Sequence, residues 1–159
     1  MKVSFILNGK LVTLDVKPNE ILLDVLRLKL GIRSVKRGCE RGECGTCTIL
    51  MDGKPVYSCM ILAPQVEGHE IVTIEGLNGP IVKSLIKSFI SVGAIQCGYC
   101  TPGFILTAYA LLKRNPNPTP DEVKKAIEGN LCRCTGYKKI IDAILKAAKE
   151  LRREFEAYT

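Results

Sequence analysis

The chain has 159 residues, 47% hydrophobic and 25% charged, with a formal net charge of +7. That length suits one or two small domains, and that balance is a globular one, which excludes a fibrous or disordered chain. No apolar run reaches membrane-spanning length, and the opening MKVSFILNGK is interrupted at Asn8-Gly9 before it forms a signal-peptide core, so the expected compartment is the cytoplasm.

Val3, Phe5 and Leu7 alternate, which predicts a strand with one buried face. Asn8-Gly9 then predicts a type I′ hairpin turn into a second strand over residues 10–16, because that turn needs positive φ at both positions. The segment EILLDVLRLKL predicts a helix, with Asn19 as its cap, Leu22, Val25, Leu26 and Leu30 at helical spacing, and Gly31 at its end. RGCERGECGTC is loop. A second hairpin turns at Asp52-Gly53 between strands at 48–51 and 56–58, and residues 70–74 predict a last strand.

The composition changes after LNGP, which sets a boundary near residues 77–80. Residues 81–92 predict an amphipathic helix closed by Gly93. Thr101 and Pro102 suit the N-cap and first position of a helix through Lys113. Asn115-Pro116-Asn117-Pro118 is a rigid break. Thr119, Pro120 and Glu122 form a capping box for a short helix ending at Gly129. Residues 138–157 carry Ile141, Ile144, Leu145, Ala148 and Leu151 at helical spacing. The expected architecture is α+β, with a strand–helix unit over residues 1–77 and four helices over residues 78–159.

The eight cysteines form two sets of four. Cys39, Cys44, Cys47 and Cys59 are separated by four, two and eleven residues. This is the plant-type ferredoxin order for a 2Fe–2S cluster. Gly38, Gly42 and Gly45 stand beside these thiols, where a loop wrapping a cluster needs positive φ and close backbone approach. A four-cysteine zinc site is the alternative, but zinc usually takes two short pairs. Cys97 and Cys100 form one short pair and Cys132 and Cys134 another, 31 residues apart. The first pair precedes a helix N-terminus, which favours a thiolate group. By spacing alone, iron–sulfur and zinc both remain open for this second set. Disulfides are disfavoured where thiols stay reduced.

The basic surplus partly offsets thiolate charge: two four-thiolate sites with 2Fe–2S cores would lower the net charge to about +3. No basic run is interleaved with aromatics as nucleic-acid binding requires, and residues 146–153 read as a solvated helix face. His69, the single histidine, reads as a surface loop residue, and no serine or aspartate forms a triad pattern with it. No phosphate-cradling loop is present. Tyr99 and Tyr137 flank the cysteine motifs and are expected to pack.

FILNG, LLDVLR, GCERGECGTC, DGKPVYSC, AIQCGYCTPG, GNLCRCTGY and KIIDAI together resemble the iron–sulfur subunit of the molybdenum hydroxylases, the family of xanthine dehydrogenase, aldehyde oxidoreductase and carbon monoxide dehydrogenase. The resemblance spans nearly the whole chain. It implies an N-terminal β-grasp, ferredoxin-like domain and a C-terminal four-helix bundle, each with one 2Fe–2S cluster. It also implies a large molybdenum–pterin subunit and a medium FAD subunit as partners, in a hetero-oligomer such as a dimer of heterotrimers. Gln96 and Cys134 would contact the pterin. The implied function is single-electron relay from molybdenum to FAD or another acceptor, with a free-standing two-cluster ferredoxin as the alternative. Glu40 and Thr46 stand where relatives often carry smaller residues; neither change removes a thiol.

Overall fold

In a computed structural model, which describes residues 1–157 apart from the side chain of Phe155, the chain begins with strands β1 (Lys2–Leu7) and β2 (Lys10–Asp15). The turn between them has φ of 52° at Asn8 and 79° at Gly9, as the Asn-Gly signal predicts. Val3, Phe5 and Leu7 are buried. The second hairpin joins β3 (Thr48–Met51) to β4 (Lys54–Tyr57) through Asp52 and Gly53, also both at positive φ. Strand β5 (Glu70–Val72) is shorter than predicted and passes at Thr73 into a 3-10 turn over Ile74–Gly76. The sheet order is β2-β1-β5-β3-β4. β5 lies parallel to β1 and antiparallel to β3, which gives a mixed β-grasp sheet.

The helix across this sheet differs from the one expected. Only Leu22–Asp24 is α-helical, and Val25–Lys29 continues as a π-helix; together they form α1. Ile21, not Asn19, stands at the N-cap, and no side chain caps it. Leu22 and Leu23 in the α turn and Val25 and Leu26 in the wider π turn all lie in the core. Burial of four large residues in a stretch of five outweighs the poorer helical hydrogen bonding. Gly31 does turn the chain, at φ 69°, and Ile32 donates its N–H to Leu26.

Four helices follow: α2 (Pro80–Val92), α3 (Thr101–Arg114), α4 (Pro120–Ile127) and α5 (Lys138–Glu156). α2 ends at Gly93 in the left-handed region, whose N–H is bonded back onto the last turn. The α4 capping box forms as predicted, with Glu122 N donating to Thr119 Oγ1 and Thr119 N to Glu122. α3 starts one residue earlier than expected: Cys100 is its N-cap and Thr101 its first residue. Phe89, Phe104, Ile140 and Ile144 centre one apolar core, and Phe5, Leu22, Leu26 and Ile49 centre the other. α3 bridges them, packing on α2 and α4 and also on β3 and β4.

Candidate metal centres

The loop after α1 carries three of the first four thiols, and Cys59, beyond β4, joins them. Cys39 Sγ accepts N–H groups from Arg41 at 3.4 Å, Glu43 at 3.3 Å and Cys44 at 3.4 Å. Glu40, at φ 54°, and Gly42, at φ 74°, turn the backbone so that those N–H groups point inward. The Arg41 N–H leads these donors, and together they bring the Cys39 thiol down to about 7 despite an opposing burial contribution. Cys44 Sγ accepts the Cys39 N–H at 3.4 Å. A Cβ on Gly38 would stand 2.7 Å from that sulfur, so only glycine leaves it room. Cys47 immediately precedes β3 and Cys59 follows β4, side by side in the core. Burial pushes the Cys47 thiol up to about 12.

The second set sits between α2 and α3 and between α4 and α5. Cys97 and Cys134 are exposed, with their sulfurs 3.6 Å apart. Cys100 and Cys132 are half-buried neighbours. Burial, and then the adjacent Cys132, raises the Cys100 thiol to about 12. Burial opposes ionisation of Cys132 as well, but its thiol is held below the ordinary value. Thr135 supplies the reason, giving its hydroxyl at 3.2 Å and its N–H at 3.5 Å. A cavity of about 240 Å³ opens among Cys97, Cys100, Cys132, Cys134 and Thr46. Gln96 is exposed, and its Nε2 donates to the Cys134 carbonyl at 3.1 Å, so the two residues expected to meet a pterin lie together.

The two sets are fastened to each other largely by residues to which the sequence assigns no role. Asn130 is 4% exposed, and its Nδ2 donates to Gly45 O at 3.1 Å and Thr48 Oγ1 at 3.2 Å. Its Oδ1 accepts from Thr107 Oγ1 at 2.9 Å. Tyr57 OH donates to Gly129 O at 3.0 Å. Gly45, Gly103 and Gly129 make this approach possible: a Cβ on Gly103 would lie 2.5 Å from Gly45 O, and one on Gly129 would run into the Tyr57 hydroxyl. On another side, Tyr99 OH donates to Arg37 O at 2.5 Å while Lys36 Nζ stands 5.7 Å from its ring centroid. Tyr99 is therefore a bridge between the units and is 47% exposed, rather than simply packed. Tyr137 packs against Phe104 and accepts the Cys132 N–H at 3.1 Å. His69 lies outside both sets, its Nδ1 2.6 Å from Asp52 Oδ2.

Both sets fit a 2Fe–2S core by their chemistry. Each offers four thiols, and the surrounding N–H and O–H groups aim at sulfur.

Comparison with known proteins agrees. Residues 5–72 match the family model described as a 2Fe-2S iron-sulfur cluster binding domain, and residues 73–145 match the [2Fe-2S] binding domain. The nicotinate dehydrogenase small FeS subunit of Eubacterium barkeri is 50% identical over 144 residues, covering 90% of this chain and 92% of that one. The xanthine dehydrogenase iron-sulfur-binding subunit of Escherichia coli O157:H7 is 42% identical over 147 residues, covering 90% and 91%. Quinoline 2-oxidoreductase from Pseudomonas putida 86 contains a chain that superposes with a TM-score of 0.89 at 47% identity, covering 96% of each. With a β-grasp unit, a helical unit and a four-thiol set in each, the chain belongs to the iron–sulfur subunits of the molybdenum hydroxylases, the electron-transfer component with two 2Fe–2S clusters.

Proposed function

We propose that Cys39, Cys44, Cys47 and Cys59 ligate one 2Fe–2S cluster and Cys97, Cys100, Cys132 and Cys134 the other. Gly38, Gly42 and Gly45 shape the first loop around its cluster. The observation that carries this reading is the gathering of eight thiols into two groups, each ringed by donors aimed at sulfur. A 2Fe–2S core, when bound, takes up and gives back one electron at a time. The chain's own residues do the rest: backbone N–H groups hold negative charge on the sulfurs, apolar burial at Cys47 and Cys59 keeps water out, and the Asn130 network holds the two loops together.

The exposed second set faces the partner in this reading. Gln96 and Cys134 contact the pterin of a molybdenum-carrying large subunit, and the first set serves an FAD-carrying medium subunit or another acceptor. Support comes from the exposure of Gln96, Cys97 and Cys134 and from relatives named as subunits. The assembly is a hetero-oligomer, with a dimer of heterotrimers as its expected form, working in the cytoplasm. Among the described residues, no helix is long and apolar enough to cross a membrane. The two units divide between residues 77 and 78: Leu77 closes a turn onto Ile74, Gly79 takes φ 87°, and α2 begins at Pro80.

Metal and sulfide analysis tests the ligand assignment. Native protein should hold about four irons and four sulfides, and Cys44→Ser or Cys132→Ser about half of each. Zinc in place of iron would overturn it.

A further inference from the structure

Thr46 lies in the first loop yet lines the cavity of the second thiol set. It is 9% exposed. Its hydroxyl has one hydrogen and two acceptors near it: the Lys36 carbonyl at 3.5 Å and Cys44 Sγ at 3.3 Å. The first distance is beyond a good O–H···O bond, whereas a sulfur, with its larger radius, is well met at 3.3 Å. A buried hydroxyl takes the partner within reach, and a thiolate is the stronger acceptor. Gly38 makes the arrangement possible, since a Cβ there would lie 2.6 Å from Thr46 Oγ1 and 2.7 Å from Cys44 Sγ. The space that a side chain at residue 38 would fill is given to one hydroxyl and one sulfur.

We propose that Thr46 is a positioning residue for electron flow: its hydroxyl donates to Cys44 Sγ and holds the reduction potential of the first cluster up relative to the second. The inference rests on Cys44 being a ligand of that cluster. An added electron puts negative charge on the cluster sulfurs, and a fixed donor stabilises that charge, so the reduced state is favoured. The second cluster gains nothing comparable from Thr46, whose hydroxyl bonds none of Cys97, Cys100, Cys132 or Cys134. The residue therefore acts on the difference between the two potentials, which sets the direction in which an electron settles.

Redox titration of the native complex, read by paramagnetic resonance of each cluster, tests this. Thr46→Val keeps the shape and removes the donor. It should lower the first potential and shift the electron's partition about three- to tenfold toward the second cluster, tenfold being about 59 mV for one electron. Thr46→Ser should restore the wild-type value. If Thr46→Val assembles poorly, Thr46→Ala carries the same expectation. Wild-type protein without four irons would instead sink the ligand assignment itself. With iron complete, an unchanged first potential, an equal shift of both clusters, or an equal fall in Thr46→Ser would each overturn the role of the hydroxyl.

Discussion

Leu131 donates its N–H to the carbonyl of Cys44 at 2.9 Å. Leu131 precedes Cys132, so one backbone hydrogen bond joins a residue beside a thiol of the second set to a residue bearing a thiol of the first. Asn130, next in the chain, adds two more bonds to the same loop, at Gly45 O and Thr48 Oγ1. The separation of the two sulfur groups is thus held by backbone and a buried amide, with the Tyr57 and Tyr99 hydroxyls bridging beside them. Electron transfer depends steeply on separation, so a rigid joint here matters more than its size suggests.

Asn130→Ala leaves the buried Thr107 hydroxyl without its acceptor and removes one donor from the Gly45 carbonyl, which keeps the N–H and hydroxyl of Thr48. The orphaned hydroxyl costs about 1–3 kcal/mol. Denaturant unfolding should show a lower midpoint, and low-temperature paramagnetic resonance of the reduced protein should show weaker spin coupling between the clusters. Undiminished coupling would mean that Asn130 does not fix their spacing.

Gly129→Ala sets a methyl against the Tyr57 hydroxyl. Overpacking of this kind costs about 1–3 kcal/mol. Tyr57→Phe alone should cost about 1 kcal/mol by losing its bond to Gly129 O. The double variant should be more stable than the sum of the two losses, because the atom that clashes is the one removed. Simple additivity in thermal unfolding would count against a direct contact.

Thr119→Ala removes the α4 cap and should cost about 1 kcal/mol. α4 leads through Ile127 into Asn130, whose N–H bonds Ile127 O. Iron release from the second set to a chelator should therefore quicken more than release from the first. Equal acceleration of both would show that the cap acts only through global stability.

Gln96→Ala should leave four irons in place and slow reduction of the chain by its molybdenum-bearing partner, measured by rapid mixing with substrate. Cys134→Ser should both slow that step and lose the second cluster. If the assembled enzyme with Cys134→Ser turned over at the wild-type rate, the proposed entry point for electrons would be wrong.

Much of this was legible in the chain. The Asn8-Gly9 and Asp52-Gly53 turns, the Gly93 stop and the Thr119 capping box are local: each depends on one or two backbone angles or a bond spanning three residues. The cysteine spacing belongs with them, because a loop that must wrap a small cluster constrains its own length. The helix over α1 was less legible. Its apolar spacing is visible in the chain, but the π turn at Val25–Lys29, whose Val25 and Leu26 pack into the core shared with the strands, is not.

By itself, then, the sequence determined the hairpin turns, the Thr119 cap, the two thiol sets and the family, because those rest on short-range geometry or on residue types that only one chemistry needs. Tertiary structure alone decided how the sets meet. Gly45, Gly103, Gly129, Asn130, Tyr57 and Tyr99 come from four separate stretches of chain, and only Gly45 and Tyr99 stand out in the sequence, as neighbours of cysteines. Their meaning is a matter of close approach: a missing Cβ or a buried amide counts only once folding has brought another surface against it.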